Sequence, residues 1–332
     1  MRNVFAVFLA IVFLLLFPIV LVTVTVQTTL LDPAFYKRQL VRNDVYSQWY
    51  SVALTSVGEP MGFPSGIRLS NAEVERVLRD VVPPDFVQRQ AERAIDNFFA
   101  WLDSPGASLN IRIPLAEVKV RLPAALSAAV GRQFANLPAC TGQYQLPTLG
   151  FPECLPRDIA TDVAKRMANA VSTRAGEEIA SKLPDSMDLF EAFGRSGQDG
   201  SNLGAALEVV KQSASTFESA STVIYAVATA LIALVGVLAY GPASRAVGCI
   251  GVTLFFSGLA PLLVLIPGQL IGLPSLGELV YDGLGSTPAV FTTVLMSIAQ
   301  SAVQDFVTRM FLVSGTTAGA GLLLLILSRL LL

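Results

Sequence analysis

VFAVFLAIVFLLLFPIVLVTVTV, residues 4 to 26, carries no charged side chain along its whole length. A helix needs about 20 apolar residues to cross the hydrocarbon core of a bilayer, so this stretch is long enough to span one. A cleaved signal peptide is the competing reading. The stretch exceeds the apolar region of a signal peptide and no A-x-A-like cleavage site follows it, which favours an uncleaved anchor.

The C-terminal third repeats the pattern. From Ser219 to Leu332 the only charged residues are Arg245, Glu278, Asp282, Asp305, Arg309 and Arg329. Three further spans fit at about 219–240, 246–267 and 310–328. Pro261 and Pro267 fall in the middle one and predict a kink or an end there. Four spans put both termini on one side of the membrane. The composition of the whole chain agrees: at 53% hydrophobic and 14% charged it is too apolar for an ordinary soluble domain.

Between the first two spans, residues 28–218 hold 22 acidic and 19 basic side chains. That balance is ordinary for a globular region and contains no basic cluster to neutralise phosphates, so nucleic acid is not an expected partner. The length suffices for one core or two small subdomains.

Two features bear on sidedness. The connection YGPASRAVG (240–248) carries Arg245 and no acid, and Arg2 and Arg329 flank the chain ends. Placing these arginines in the cytoplasm follows the positive-inside tendency. Lys37, Arg38 and Arg42 follow the first span on the opposite side and oppose that assignment, although long domains translocate largely regardless of charge. The second feature is CTGQYQLPTLGFPEC, residues 140 to 154. Two cysteines in a chain without histidine cannot complete a usual four-ligand zinc site. In an oxidising compartment Cys140 and Cys154 would close a disulfide, worth roughly 3 kcal/mol for a loop of about 15 residues in the chain-entropy model. Two unrelated thiols in a cytosolic loop are the alternative. The disulfide is the preferred reading, and with it an extracytoplasmic domain.

Local signals within that domain are mostly helical. Asp32 can cap a helix beginning at Pro33, with Leu31 and Tyr36 as a hydrophobic staple, and a second helix can restart at Asp44. EPMGFPSG (59–66) reads as a loop. Ser70 and Glu73 form a capping box with Leu69 and Val74 as staple. That helix stops near Pro83, and another runs to about Leu102 with Val87, Ala91, Ala94, Ile95, Phe98 and Leu102 on one face. SLNIRIPL (108–115) alternates as a strand. A helix from Pro114 to about Leu137 follows, interrupted or bent at Pro123. A long helix over 156–183 comes next, and MDLFEAF (187–193) is a candidate second strand. GRSGQDGSNLG (194–204) reads as a linker.

Beyond that linker, Leu203, Leu207, Val210, Ala214 and Phe217 form a stripe directly before the second span. Thr287 can cap a helix whose stripe is Val290, Val294, Ile298, Ala302, Phe306 and Met310, leading into the last span. Two membrane helices are therefore expected to extend outward as a stalk and pack on the domain, since isolated apolar faces are avoided in water. Small residues Ser314, Gly315, Ala318, Gly319, Ala320 and Gly321 favour close packing on a neighbouring span, with a homodimer interface or a lipid site as alternatives. The division that follows is an anchor over 1–27, a helical domain over 28–202 and a stalk with the second span over 203–240. The third span covers 241–270, a connection with an amphipathic helix 271–309, and the last span 310–332.

The absence of histidine removes Ser-His-Asp and Cys-His catalysis and H-E-x-x-H zinc sites. No phosphate-binding loop or dinucleotide fingerprint occurs. Glu278, Asp282 and Asp305 are ionisable groups in the apolar third, a functional signal in principle. Their expected role is as solvated residues of the outer connection. Trp49, Tyr50 and Trp101 could recognise a ligand, but aromatics at helix positions more often belong to the core or the membrane interface.

LDPAFYKRQLVRNDVY (31–46) and VERVLRDVVPPDFVQRQAERAIDNFFAWL (74–102) resemble a pattern found in uncharacterised bacterial envelope proteins. Those proteins have an N-terminal anchor, a helical external domain with a cysteine pair, and C-terminal spans. The resemblance covers most of the chain, rests on capping and packing signals, and implies no activity. The expected molecule is a mostly α integral membrane protein. It has four transmembrane helices, both termini cytoplasmic, a predominantly helical extracytoplasmic domain with one or two short strands, and helical stalk extensions. It is expected in the plasma or inner membrane as a non-catalytic interaction or sensing module, or an accessory subunit of a membrane complex. Lipid or small-molecule handling is the second expectation, and a carboxylate-dependent membrane enzyme the third. No cofactor or metal is expected. The expected partners are the bilayer, other envelope proteins or a second copy of the chain.

Overall fold

The structure, a computed structural model, describes residues 2–57, 69–104, 106–140, 154, 161–188, 200–239, 243–271 and 289–330. Among them are ten helices: α1 Arg2–Thr28, α2 Pro33–Arg42, α3 Val45–Val57, α4 Asn71–Val81, α5 Pro84–Leu102, α6 Ala116–Ala135, α7 Thr161–Lys182, α8 Gly200–Leu238, α9 Ala243–Ile271 and α10 Ala289–Leu330. Two three-residue strands, β1 Arg112–Pro114 and β2 Ser186–Asp188, pair antiparallel with Ile113 opposite Met187. The loop at 59–66, residues 189–193 of the second candidate strand, residues 194–199 of the linker, Glu278, Asp282 and the Thr287 cap lie outside the described residues.

Among the described residues four helices are long and apolar enough to cross a membrane: within α1, α8, α9 and α10 the qualifying stretches are Phe5–Thr28, Leu207–Leu238, Ser244–Val264 and Met296–Leu330. Their contacts give an up-down-up-down bundle. Gln27 near the end of α1 meets Ser221 and Tyr225 of α8, while Phe13, Phe17 and Leu21 pack with Ala228 further down, beside Leu254, Met310 and Val313. Helices α9 and α10 cross with backbones in direct contact. A Cβ on Gly258 would lie 2.5 Å from Ala318 N, and one on Gly321 would collide with Phe255 N. Ser314, Ala318 and Gly321 thus pack on a neighbouring span, whereas Gly315 and Gly319 have open space beside them. Close approach of this kind is how membrane helices gain contact energy where lipid removes the hydrophobic drive. Pro261 and Pro267 do not end α9, which continues to Ile271. Proline is tolerated inside a membrane helix where packed neighbours re-satisfy the freed carbonyls.

Outside the bundle, the core of the helical domain lies between α4 and α6. Val74, Val77 and Val81 of α4 meet Ala125, Leu126, Ala129 and Val130 of α6, with Ala175 and Ile179 of α7 against them. The staple pair Leu69 and Val74 belongs to this core. Pro123 stays inside α6, and α7 passes so near that a Cβ on Gly176 would sit 2.6 Å from Pro123 Cα. Ser70 Oγ accepts from Glu73 N at 3.3 Å, but only half of the capping box is used. The Glu73 carboxylate instead accepts from Arg76 and, at 3.0 and 3.1 Å, from Arg132 of α6. On α5 the expected face is part-buried, and the fully buried residues are Phe86 and Trp101. Asp32 accepts from Ala34 N at 3.0 Å and caps α2. Asp44, in the left-handed region at φ 50°, turns the chain from α2 into α3.

Leu126 is 1% exposed and Val120, on the same helix, 80%. Leu126→Ala should cost about 2–5 kcal/mol through lost burial and a residual cavity, while Val120→Ala should stay within about 0.5 kcal/mol. Urea titration of the detergent-solubilised full chain, followed by near-ultraviolet circular dichroism, reads the difference. The strand pair is tied to α6 by Lys119 Nζ and Asp185 Oδ1 at 2.6 Å, and this hydrogen bond holds the Asp185 carboxyl below its ordinary value. A depressed carboxyl contributes stability above its unfolded value and loses it as pH falls through the folded one. The Lys119→Met variant should therefore melt less sharply with acidification below about pH 4 than the parent.

Candidate functional site

Polar side chains concentrate where the bundle meets the helical domain, and two junctions form there. The first joins α2 to α10. Gln39 follows Phe35 by one helical turn and shares its buried face, which leaves a carboxamide 1% exposed and in need of a partner. Asp305 supplies it: Oδ2 accepts from Gln39 Nε2 at 2.5 Å and Oδ1 from Arg42 Nη1 at 2.9 Å. One turn up α10, Ser301 Oγ donates to Asn43 Oδ1 at 3.0 Å, and Asn43 Nδ2 donates back to Gln39 O at 2.8 Å. One turn down, Arg309 Nη1 donates to Thr28 O at 2.5 Å and so caps the end of α1.

The second junction joins α5 to α8. Lys211 is 9% exposed, with its ammonium 4.7 Å from the centroid of the Trp101 ring and 3.3 Å from Ala107 O. Trp101 Nε1 donates to the same carbonyl at 2.8 Å. A cation over an indole face is attracted by the ring quadrupole, more strongly when desolvated. An aromatic group of Tyr36, Phe98, Phe99 and Trp101 and the Lys37–Asp96 pair at 2.6 Å fill the space between α2 and α5.

Of the residues singled out in the sequence, Asp305 is thus not a solvated loop residue but the partner of a buried amide. Tyr50 and Trp101 are buried, and Tyr50 OH donates to Val82 O at 2.5 Å; burial raises the phenol above its ordinary value. Cys140 and Cys154 are joined, S–S 2.02 Å with Cα atoms 5.0 Å apart, between the end of α6 and the start of α7. Cys249 of α9 is free. Gln39, Asn43, Ser301 and Lys211 escaped the sequence reading. Their only signal was register. On α8 the inward face runs through buried Lys211, Ser221, Ala228 and Val235, with Leu207 and Ala214 part-buried, and Val210 of the expected stripe stands 47% exposed.

The arrangement holds helices together. Among the described residues no group of three or more His, Cys, Asp or Glu could hold a metal ion. No family model, curated protein or solved structure matches the chain, so the reading of function rests on this geometry.

Asp305→Ala would leave the Gln39 amide buried and unpaired, at a cost of about 1–3 kcal/mol. Arg42→Ala removes only a half-exposed ion pair and should cost less than about 1 kcal/mol. Comparison of the two variants by urea titration measures the difference. Lys211→Met should cost about 1–2 kcal/mol, seen as faster amide exchange over residues 207–217 with the bundle part of α8 unaffected.

Proposed function

We propose that this chain is a non-catalytic interaction or sensing module of the cell envelope, or an accessory subunit of a membrane complex, with the helical domain outside and both termini in the cytoplasm. One observation carries the reading: α8 and α10 run unbroken from the bundle into the domain and are fastened there by side chains that do no evident chemistry. Such a build suits a protein that presents a fixed surface beside the membrane or feels a change in it. The sidedness rests on two supports. The antiparallel order of the bundle puts the start of α1, Arg245 in the first turn of α9 and Arg329 in the last turn of α10 at the end away from the domain, as cytoplasmic arginines would be. A disulfide on the domain side is at home in an oxidising compartment. The packing of Phe13, Phe17 and Leu21 in the bundle core favours α1 as a retained anchor.

Labelling tests the orientation. In intact cells carrying the Cys249→Ala form, Cys140 and Cys154 should react with a membrane-impermeant maleimide only after an impermeant reductant. Reaction only after permeabilisation, without reductant, would invert the topology. For the function itself, a stoichiometric protein partner should copurify from cross-linked native membranes and be lost from the Lys211→Met form. Tightly bound lipid in place of a protein would move the assignment to lipid handling.

A further inference from the structure

Proline is distributed unequally among the four long helices. Pro18 lies in α1, and Pro261 and Pro267 in α9, while α8 and α10 contain none. Sharp helix kinks arise at proline, at Gly/Ser pairs and at π-bulges; the two helices that leave the bundle for the domain lack the first, and the Ser314–Gly315 pair of α10 lies inside an unbroken helix with Ser314 packed against Gly258 of α9. Of these, α10 is held at both levels. Within the bundle its backbone touches α9 at Gly251, Gly258 and Gly321. Higher up, Asp305 and Ser301 hold α2. About 24 Å of continuous helix separates Gly321 from Asp305, at 1.5 Å per residue. Backbone contact leaves α10 no slack for sliding on α9 without separation, and the buried Gln39 leaves α2 no second partner at equal cost.

We infer that α10 is a rigid relay: a displacement at the α9–α10 crossing is passed along the helix to Asp305 and moves α2. The inference goes beyond the function proposed above, because it holds whatever binds at either end. Gln39 and Asp305 are the transmitting contact. The glycine crossing is the input on the membrane side.

A double-mutant cycle on the full chain in lipid nanodiscs tests this, read as amide hydrogen exchange of residues 35–43 in α2. Gly258→Ala drives the α9 and α10 backbones apart. In the parent background it should speed exchange in α2 at least fivefold, while α4, whose core partners lie on α6, keeps its rate. In an Asp305→Ala background the same change should alter α2 by less than twofold, with exchange times chosen so that both backgrounds start below half-exchange. If Gly258→Ala fails to fold, Gly248→Ala gives a milder push, since its Cβ would meet only the Ser328 side chain, Oγ at 3.3 Å and Cβ at 3.5 Å. An unchanged α2 in a variant whose thermal midpoint has fallen would overturn the relay. So would a response of equal size in both backgrounds, which would put the coupling on another route.

Discussion

The hydrocarbon core of a bilayer is about 30 Å thick, and α8 and α10, with 39 and 42 residues, are about 58 and 63 Å long at 1.5 Å per residue. A helix twice as long as the apolar layer must leave it, and where it leaves it must find new partners for faces that lipid no longer covers. Much of the architecture answers that mismatch. The bundle ends level with Gln27, Thr28, Tyr225 and Arg309, where hydrogen-bonding side chains replace packed apolar ones. Above that level α8 and α10 become supports on which α5, α2 and α3 rest. The small α4–α6–α7 core stands to the side, joined through α3.

The supports are joined to the domain by contacts of modest individual strength. The Arg42–Asp305 pair is half-exposed, and such pairs contribute little net stability. Lys211 stays dehydrated because the Trp101 ring and one carbonyl take the place of water. For the buried Gln39 and Lys211 the cost of losing a partner exceeds the gain of having it, which is the usual asymmetry of buried polar groups.

Much of this could be read from residues alone because it depends on local order. Runs without charge gave the spans, and Asp32, Ser70 and the prolines near 83 gave helix starts and stops, since capping is decided within four residues. Register and partners were less legible. Lys211 occupies a core position that an apolar stripe would have assigned to Val210, and only the placement of Trp101 on another helix makes a lysine acceptable there. The Ser70–Glu73 spacing predicts that Glu73 closes its own cap, but Arg132, 59 positions away in sequence, takes the carboxylate. Pro261 predicts a kink or an end, and α9 does not end there: its backbone lies against α10 at nearby Gly258. In each instance the deciding group is remote in sequence and invisible to a local pattern.

Why evolution would keep polar groups at a buried junction follows from the repetition in α10. Ile298, Ala302, Phe306 and Met310 recur every fourth residue, so an apolar face of this kind fits a partner almost equally well if the helix slips by one turn, about 5.4 Å. Apolar contact therefore sets which face meets α2 without setting the height. Asp305 occurs once. A one-turn slip would put Arg309 or Ser301 opposite Gln39 and would take the Asp305 carboxylate away from both Gln39 and Arg42. The loss of a hydrogen bond to a charged acceptor, roughly 1.5–3 kcal/mol, then separates one register from its neighbours by a factor of about 10 to 150. Polar residues at otherwise apolar helix contacts are known to select register in the same manner. In this protein the register so selected sets where along α10 the helix α2 is held.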